Sequence, residues 1–199
     1  MKKPLAIAIA LIMSTTPFAS AQNTVSMEET FDSIFNAFLT PEGSYYPKWE
    51  AVEDIIKGVK WEWPFNQKNQ HDFTMKGTVE DYMDVEIHSS GYYDLGEFQE
   101  PPFIGSVSIS FAINPSQTNS IDIDHFDPDQ LTKIPTTCDA DGAMHQEAFY
   151  QWTKPGYTPL YIYYMSSFGT RMGNVDYHIG YVPDDILYSY ANQCEVIKW

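Results

Sequence analysis

Apolar positions recur along this chain with two different periods, and the period changes near residue 58. Met27, Phe31, Ile34, Phe35, Phe38 and Leu39 fall at helical spacing and form one apolar stripe. Ser26 stands before them with Glu29 three residues later. In that spacing the serine side chain takes a backbone N–H of the first turn and the glutamate reaches back to the cap. Pro41 and Gly43 end the stripe. Pro47 suits another first turn, Trp49, Val52, Ile55 and Ile56 share a face, and Gly58 suits the exit. The spacing therefore predicts a second, shorter helix over 47–57.

Beyond it the period is two. Val59, Trp61 and Trp63 alternate with polar neighbours, as do Phe73 to Val79, Met83 to Ile87 and Val107 to Phe111. Such alternation predicts strands with one buried and one polar face. Glu80-Asp81 reads either as a tight turn or as the middle of one long strand. The last third reads as a meander with strands over Ala143–Trp152, Pro159–Phe168 and Asn174–Val182. Lys154-Pro155-Gly156 and Gly169–Gly173 supply the turns between them. A short helix follows Pro183 over Ile186–Asn192, and Cys194–Trp199 reads as a last strand. The segment Tyr92–Pro102 reads as a surface loop. Together these elements predict an α+β fold. Two N-terminal helices would pack on a curved, mainly antiparallel sheet of about seven or eight strands, followed by a C-terminal meander and short helix.

The first residues change the picture of where this fold works. Lys2 and Lys3 precede the apolar run Leu5–Met13, and Ala19-Ser20-Ala21 offers a small-x-small cleavage site. This is the pattern of a secretory signal peptide over 1–21, too short to span a bilayer. The remainder, 22–199, reads as one domain in the periplasm or outside the cell, with no integral membrane segment after cleavage. Its two cysteines, Cys138 and Cys194, form an even pair in an oxidising compartment and predict a disulfide.

The charge balance is strongly one-sided. Eleven Lys and Arg face 27 Asp and Glu, a formal charge of −16, and removal of Lys2 and Lys3 makes it more negative. That excludes nucleic acid, which needs cations on phosphates, and points to a basic protein partner. Fourteen Tyr are the other compositional feature. Tyr45, Tyr46, Tyr92 and Tyr93 lie in turn-like segments and are candidate anchors for a partner.

The stretch IDIDHFDPDQ at 121–130 gathers Asp122, Asp124, Asp127 and Asp129. It does not fit a calcium loop. From Asp122 the fifth position is Phe126 and the sixth is Asp127, where an acid and a glycine are needed; from Asp127 the fifth is Leu131. It reads instead as a strand end with Ile121 and Ile123 inward, followed by Asp127 capping a turn that opens on Pro128. Its four aspartates are candidate contacts for a basic partner. His145 and Glu147 share a face of one meander strand, and Asp176 and His178 share a face of another. The Tyr-rich strand would separate the pairs by about 10 Å, too far for one metal, so no metal and no cofactor is expected.

A hydrolytic alternative uses Cys138 as nucleophile, His178 as base and Asp176 to orient it. Tyr177-His178-Ile179-Gly180-Tyr181 is similar to the histidine strand of peptidoglycan-cleaving cysteine peptidases. That resemblance covers a few residues. Cys138 departs from the family pattern, because it follows Thr136-Thr137 rather than an Asp and precedes strand-like residues. A bridged Cys138 would have no thiolate. The sequence thus favours an exported, non-enzymatic binder, an acidic periplasmic inhibitor or immunity-type protein that neutralises a basic partner. A cell-wall cysteine hydrolase and a small-ligand carrier are the alternatives.

Overall fold

The computed structural model describes residues 25–44, 47, 55–62, 74–79, 83–89, 104–113, 121–142, 144–169, 173–190 and 194–197. The predicted signal peptide over 1–21, the predicted loop over 92–102 and the four candidate anchors Tyr45, Tyr46, Tyr92 and Tyr93 lie outside them.

Helix α1 spans Met27–Ala37 and starts as the sequence requires. Ser26 Oγ accepts from the Glu29 N–H at 3.1 Å, and Glu29 accepts from the Ser26 N–H at 2.9 Å. Its buried residues, Thr30, Phe31, Ile34 and Ala37, face a sheet of nine strands. These are β1 (Lys60–Glu62), β2 (Thr74–Val79), β3 (Met83–Ser89), β4 (Ile104–Ile113), β5 (Leu131–Ile134), β6 (Ala140–Gly142), β7 (His145–Trp152), β8 (Leu160–Phe168) and β9 (Gly173–Gly180). Helix α2 follows over Pro183–Tyr190. The lateral order is β1-β2-β3-β4-β9-β8-β7-β5, with β6 also on β7, and every pairing is antiparallel. Val79 pairs with Met83, so the 73–88 run is a hairpin rather than one long strand.

This architecture corrects the predicted fold class. The molecule is dominated by a nine-stranded antiparallel sheet, and one N-terminal helix, not two, lies against it among the described residues. Residues 48–54 of the predicted second helix lie outside the description. Its predicted face divides at the described end, where Ile56 is buried and Ile55 is 42% exposed. Gly58 then turns the chain into β1 at φ +81°.

The sheet has two unlike faces. On one, Met75, Val85, Ile87, Val107, Ile109, Phe111, Ile162, Tyr164, Val175, Tyr177 and Ile179 form the main core with α1. Phe31 is its hub, with ring centroids 5.1 Å from Tyr177, 5.8 Å from Phe126 and 6.1 Å from Phe111. On the other, Ile134, Phe149, Tyr163, Ile186, Leu187 and Cys194 make a smaller cluster beneath α2. The predicted disulfide is present there, joining Cys138 to Cys194 with Cα atoms 5.4 Å apart. The predicted last strand is reduced to a single bridge between Thr136 and Val196, flanked by Thr137 N–H to Glu195 O and Ile197 N–H to Pro135 O.

Two stability outcomes follow from this packing. A Cβ on Gly58 would stand 2.6 Å from Thr30 Oγ1 at a backbone angle side chains rarely adopt. Gly58→Ala should therefore cost about 1–3 kcal/mol in urea unfolding. Phe31→Ala should cost about 3–5 kcal/mol, because the hub ring is fully buried.

Candidate functional site

The second face of the sheet carries a polar row that crosses five strands. Alternation puts His88 of β3, Ser108 of β4, His178 of β9, Tyr163 of β8 and Glu147 of β7 on it. Register aligns them: Ser108 pairs with His178, and His178 pairs with Tyr163. Ser108 Oγ lies 2.9 Å from His178 Nδ1 and 3.3 Å from His88 Nε2, bridging the two rings. Thr74 Oγ1 lies 3.4 Å from His88 Nδ1. Tyr163 stacks on His178 with centroids 5.9 Å apart and donates its hydroxyl to Glu147. His145 Nε2 lies 3.2 Å from the other Glu147 oxygen.

Burial sets the protonation states along the row. Desolvation pushes His178 down to about 3, helped by nearby His88, and lowers His88 as well. Both imidazoles are neutral at pH 7, and Ser108 can donate to one ring while accepting from the other. Asp176, one step along β9 on the same face, is buried and its carboxyl is raised by desolvation, against a hydrogen bond from Ser110. Burial and the Glu147 hydrogen bond raise the Tyr163 phenol. Beside the row an open cavity of about 380 Å³ is lined by Glu62, Lys76, Thr78, Asp84, Glu86, Ser108, Ser110 and His178. Lys76 is ion-paired with Glu86 across β2 and β3.

The sequence-predicted residues fall in three places. Asp176 and His178 do share a face, but it is not an exposed one, because Asp176 and Tyr163 are buried. Cys138 is bonded to Cys194 in the α2 cluster, and the serines, not Cys138, hold His178 and Asp176 in the contacts described above. The stretch 121–130 forms no strand end. Residues Ile123–His125 make a 3₁₀ turn capped by Asp122, whose carboxylate accepts from the Ile123 N–H at 2.7 Å. Ile121 is buried and accepts from the Tyr177 hydroxyl at 2.9 Å. Asp127 caps the following turn as predicted, accepting from the Asp129 N–H at 3.0 Å.

Asp122, Asp124, Asp127 and Asp129 are all exposed. Asp122 also accepts from the Tyr164 hydroxyl at 2.8 Å. The phenol of Tyr150 is raised by burial first, then by the fields of Asp139, Asp124, Asp122 and Asp141. These acids thus act together on one region of the molecule. Sequence reasoning missed Ser108, His88 and Tyr163 as members of the polar row. Only the Ser106-x-Ser108-x-Ser110 alternation hinted at a polar face in the middle of a sheet.

No protein-family model, curated protein or solved structure matches this chain. Among the described residues no helix is long and apolar enough to cross a membrane.

The polar row has a pH signature. His178 and His88 bind protons less well folded than unfolded, so the unfolded chain takes up more protons between the two pKa values. Their contribution to stability is complete above the ordinary histidine pKa of about 6.5 and is lost as pH falls from there toward 3. His178→Asn should flatten the stability-versus-pH curve in that window. Urea midpoints at stepped pH, compared between the two proteins, measure it.

Proposed function

We propose that this chain is an exported, non-enzymatic binding protein that captures a basic protein partner, in the manner of a periplasmic inhibitor or immunity-type protein. The observation that carries the reading is the acidic excess, 27 Asp and Glu against 11 Lys and Arg, together with its display. Of the exposed aspartates of 121–130, Asp122 and Asp124 share a field at Tyr150 with Asp139 and Asp141. A field of one sign over a sheet-backed surface accelerates the encounter with an opposite charge. The 3₁₀ turn and the Asp127 turn hold these carboxylates on short, capped backbone. A partner would then meet them with little ordering cost. The leader and the disulfide both support work outside the cytoplasm. Bridging of Cys138 speaks for the binder over the hydrolase, since the bridged sulfur is not a nucleophile.

The test is association with a panel of basic secreted proteins, followed by stopped-flow. Capture should slow at least about 10-fold when ionic strength rises from about 0.05 M to 0.5 M. Replacing Asp122, Asp124, Asp127 and Asp129 together by Asn should slow it similarly at low salt. Equal rates for the two proteins, or cell-wall cleavage by the oxidised chain, would overturn the reading.

A further inference from the structure

Around the disulfide the structure gathers more than sulfur. Cys138 Sγ, Cys194 Sγ and a Glu147 carboxylate oxygen all lie within 4.8 Å of one another. Glu147 Oε1 is 3.6 Å from Cys194 Sγ, and Oε2 is 3.2 Å from His145 Nε2. Zinc bonds of about 2.3 Å to sulfur and 2.0 Å to oxygen or nitrogen, at tetrahedral angles, place S and O about 3.5 Å apart and O and N about 3.3 Å apart. The sulfur contact, made by Oε1, already has such a length, whereas the imidazole contact is made by the other oxygen, Oε2, so that His145 stands beside the trio rather than within it. From this grouping we propose that, once the bridge is reduced, Cys138, Cys194 and Glu147 hold Zn²⁺ and His145 turns in as the fourth ligand, so that the bridge and the metal are alternative occupants of one place.

The surroundings suit a metal. Two thiolates, an imidazole and a carboxylate are a borderline-soft donor set of the kind zinc takes. Tyr163 donates its hydroxyl to Glu147 Oε1, the oxygen nearest Cys194, and would hold the carboxylate in place. Register holds the set together, because Ala140 pairs with Glu147 and brings the Cys138 segment alongside β7. Cys194 is buried at 8% exposure, whereas the His145 side chain is 46% exposed. His145 is therefore the entry side and closes the fourth position by rotating its ring. The Cα separation of 5.4 Å lets the sulfurs part by side-chain rotation while the backbone stays in place.

The steps balance. A dithiol reductant attacks the Cys138–Cys194 bond, passes two electrons and two protons to the sulfurs, and is left as its own disulfide. Zn²⁺ then displaces the two thiol protons to solvent, forming two Zn–S bonds. Return to the bridge requires a disulfide oxidant, which takes the electron pair and ejects Zn²⁺.

The experiment reduces the full chain anaerobically with a trialkylphosphine, which becomes its oxide as water supplies the oxygen and the thiol protons. After desalting, Co²⁺ is added as a spectroscopic stand-in for Zn²⁺. The expected result is one Co²⁺ per chain with intense tetrahedral d–d bands and a thiolate charge-transfer band, displaced by Zn²⁺. The oxidised chain should give none of these. Glu147→Gln and His145→Ala should each weaken Co²⁺ binding by about 10- to 100-fold, while Zn²⁺ should slow re-formation of the bridge. If the reduced chain loses its fold, Zn²⁺ must restore the circular dichroism of the oxidised form. Absence of the bands, failure to refold, or either variant binding as the wild type would overturn the proposal.

Discussion

The environment of every side chain on β9 follows from one pairing, Ile109 opposite Tyr177. Tyr177 is fully buried, its ring meets Phe31, and its hydroxyl donates to the Ile121 carbonyl. That contact fixes the parity of the strand. Val175 and Ile179 go inward with it, while Asp176 and His178 go to the other face. Because side chains alternate, a slip of one residue would carry a carboxylate and an imidazole into a cluster of aromatic rings. The cost of that alternative is what specifies the register. Ser108 then meets His178, and Tyr163 meets it from the other side.

The two faces divide the labour of the sheet. The α1 face is aromatic, and Tyr181 donates to the Phe38 carbonyl there at 2.6 Å, although the buried Thr30 Oγ1 has no hydrogen-bond partner among the described residues. The opposite face is graded. Toward β7 it is covered by α2 and the disulfide, and toward β2 it carries Lys76, Glu86 and Thr78 around an open cavity. The polar row lies along this gradient. Its histidines are drawn toward neutrality by their own burial, while Lys76 on the open side remains exposed and Glu86 partly so.

Much of the local structure was legible in the residues. The capping box of Ser26 and Glu29, the two alternating runs on either side of 80–82, whose hairpin pairing stayed open, and the meander of β7, β8 and β9 are set by neighbours a few positions away. The second N-terminal helix was misjudged as a partner for the sheet. Ile55 and Ile56 look like one face in a 3.6-residue period, yet solvent takes one and the core the other. The acidic stretch misled in a different way. Ile121 and Ile123 alternate like a strand, but Asp122 bonds the next N–H and starts a 3₁₀ turn instead, a local competition that alternation does not register. The polar row was illegible because it needs the β4–β9 adjacency, which skips four intervening strands. His88, Ser108 and His178 have no sequence signature that joins them. The Cys138–Cys194 pair was legible from compartment and number, whereas the Glu147 carboxylate beside it depended on strand register.

That same adjacency sets the timing of assembly. Strands β1 to β4 can pair with one another as soon as they exist, since each follows its neighbour directly. Strand β4 cannot close its other edge until β9 arrives, after β5 to β8 have been made. Until then half a sheet would present a bare row of backbone donors and acceptors along β4. Bare edges of this kind recruit other chains. The serines at 106, 108 and 110 leave one side of that edge hydrophilic while it waits. Alternating serine on β4 thus keeps one side of a late-closing edge hydrophilic, and Ser108 bridges two histidines once that edge is closed.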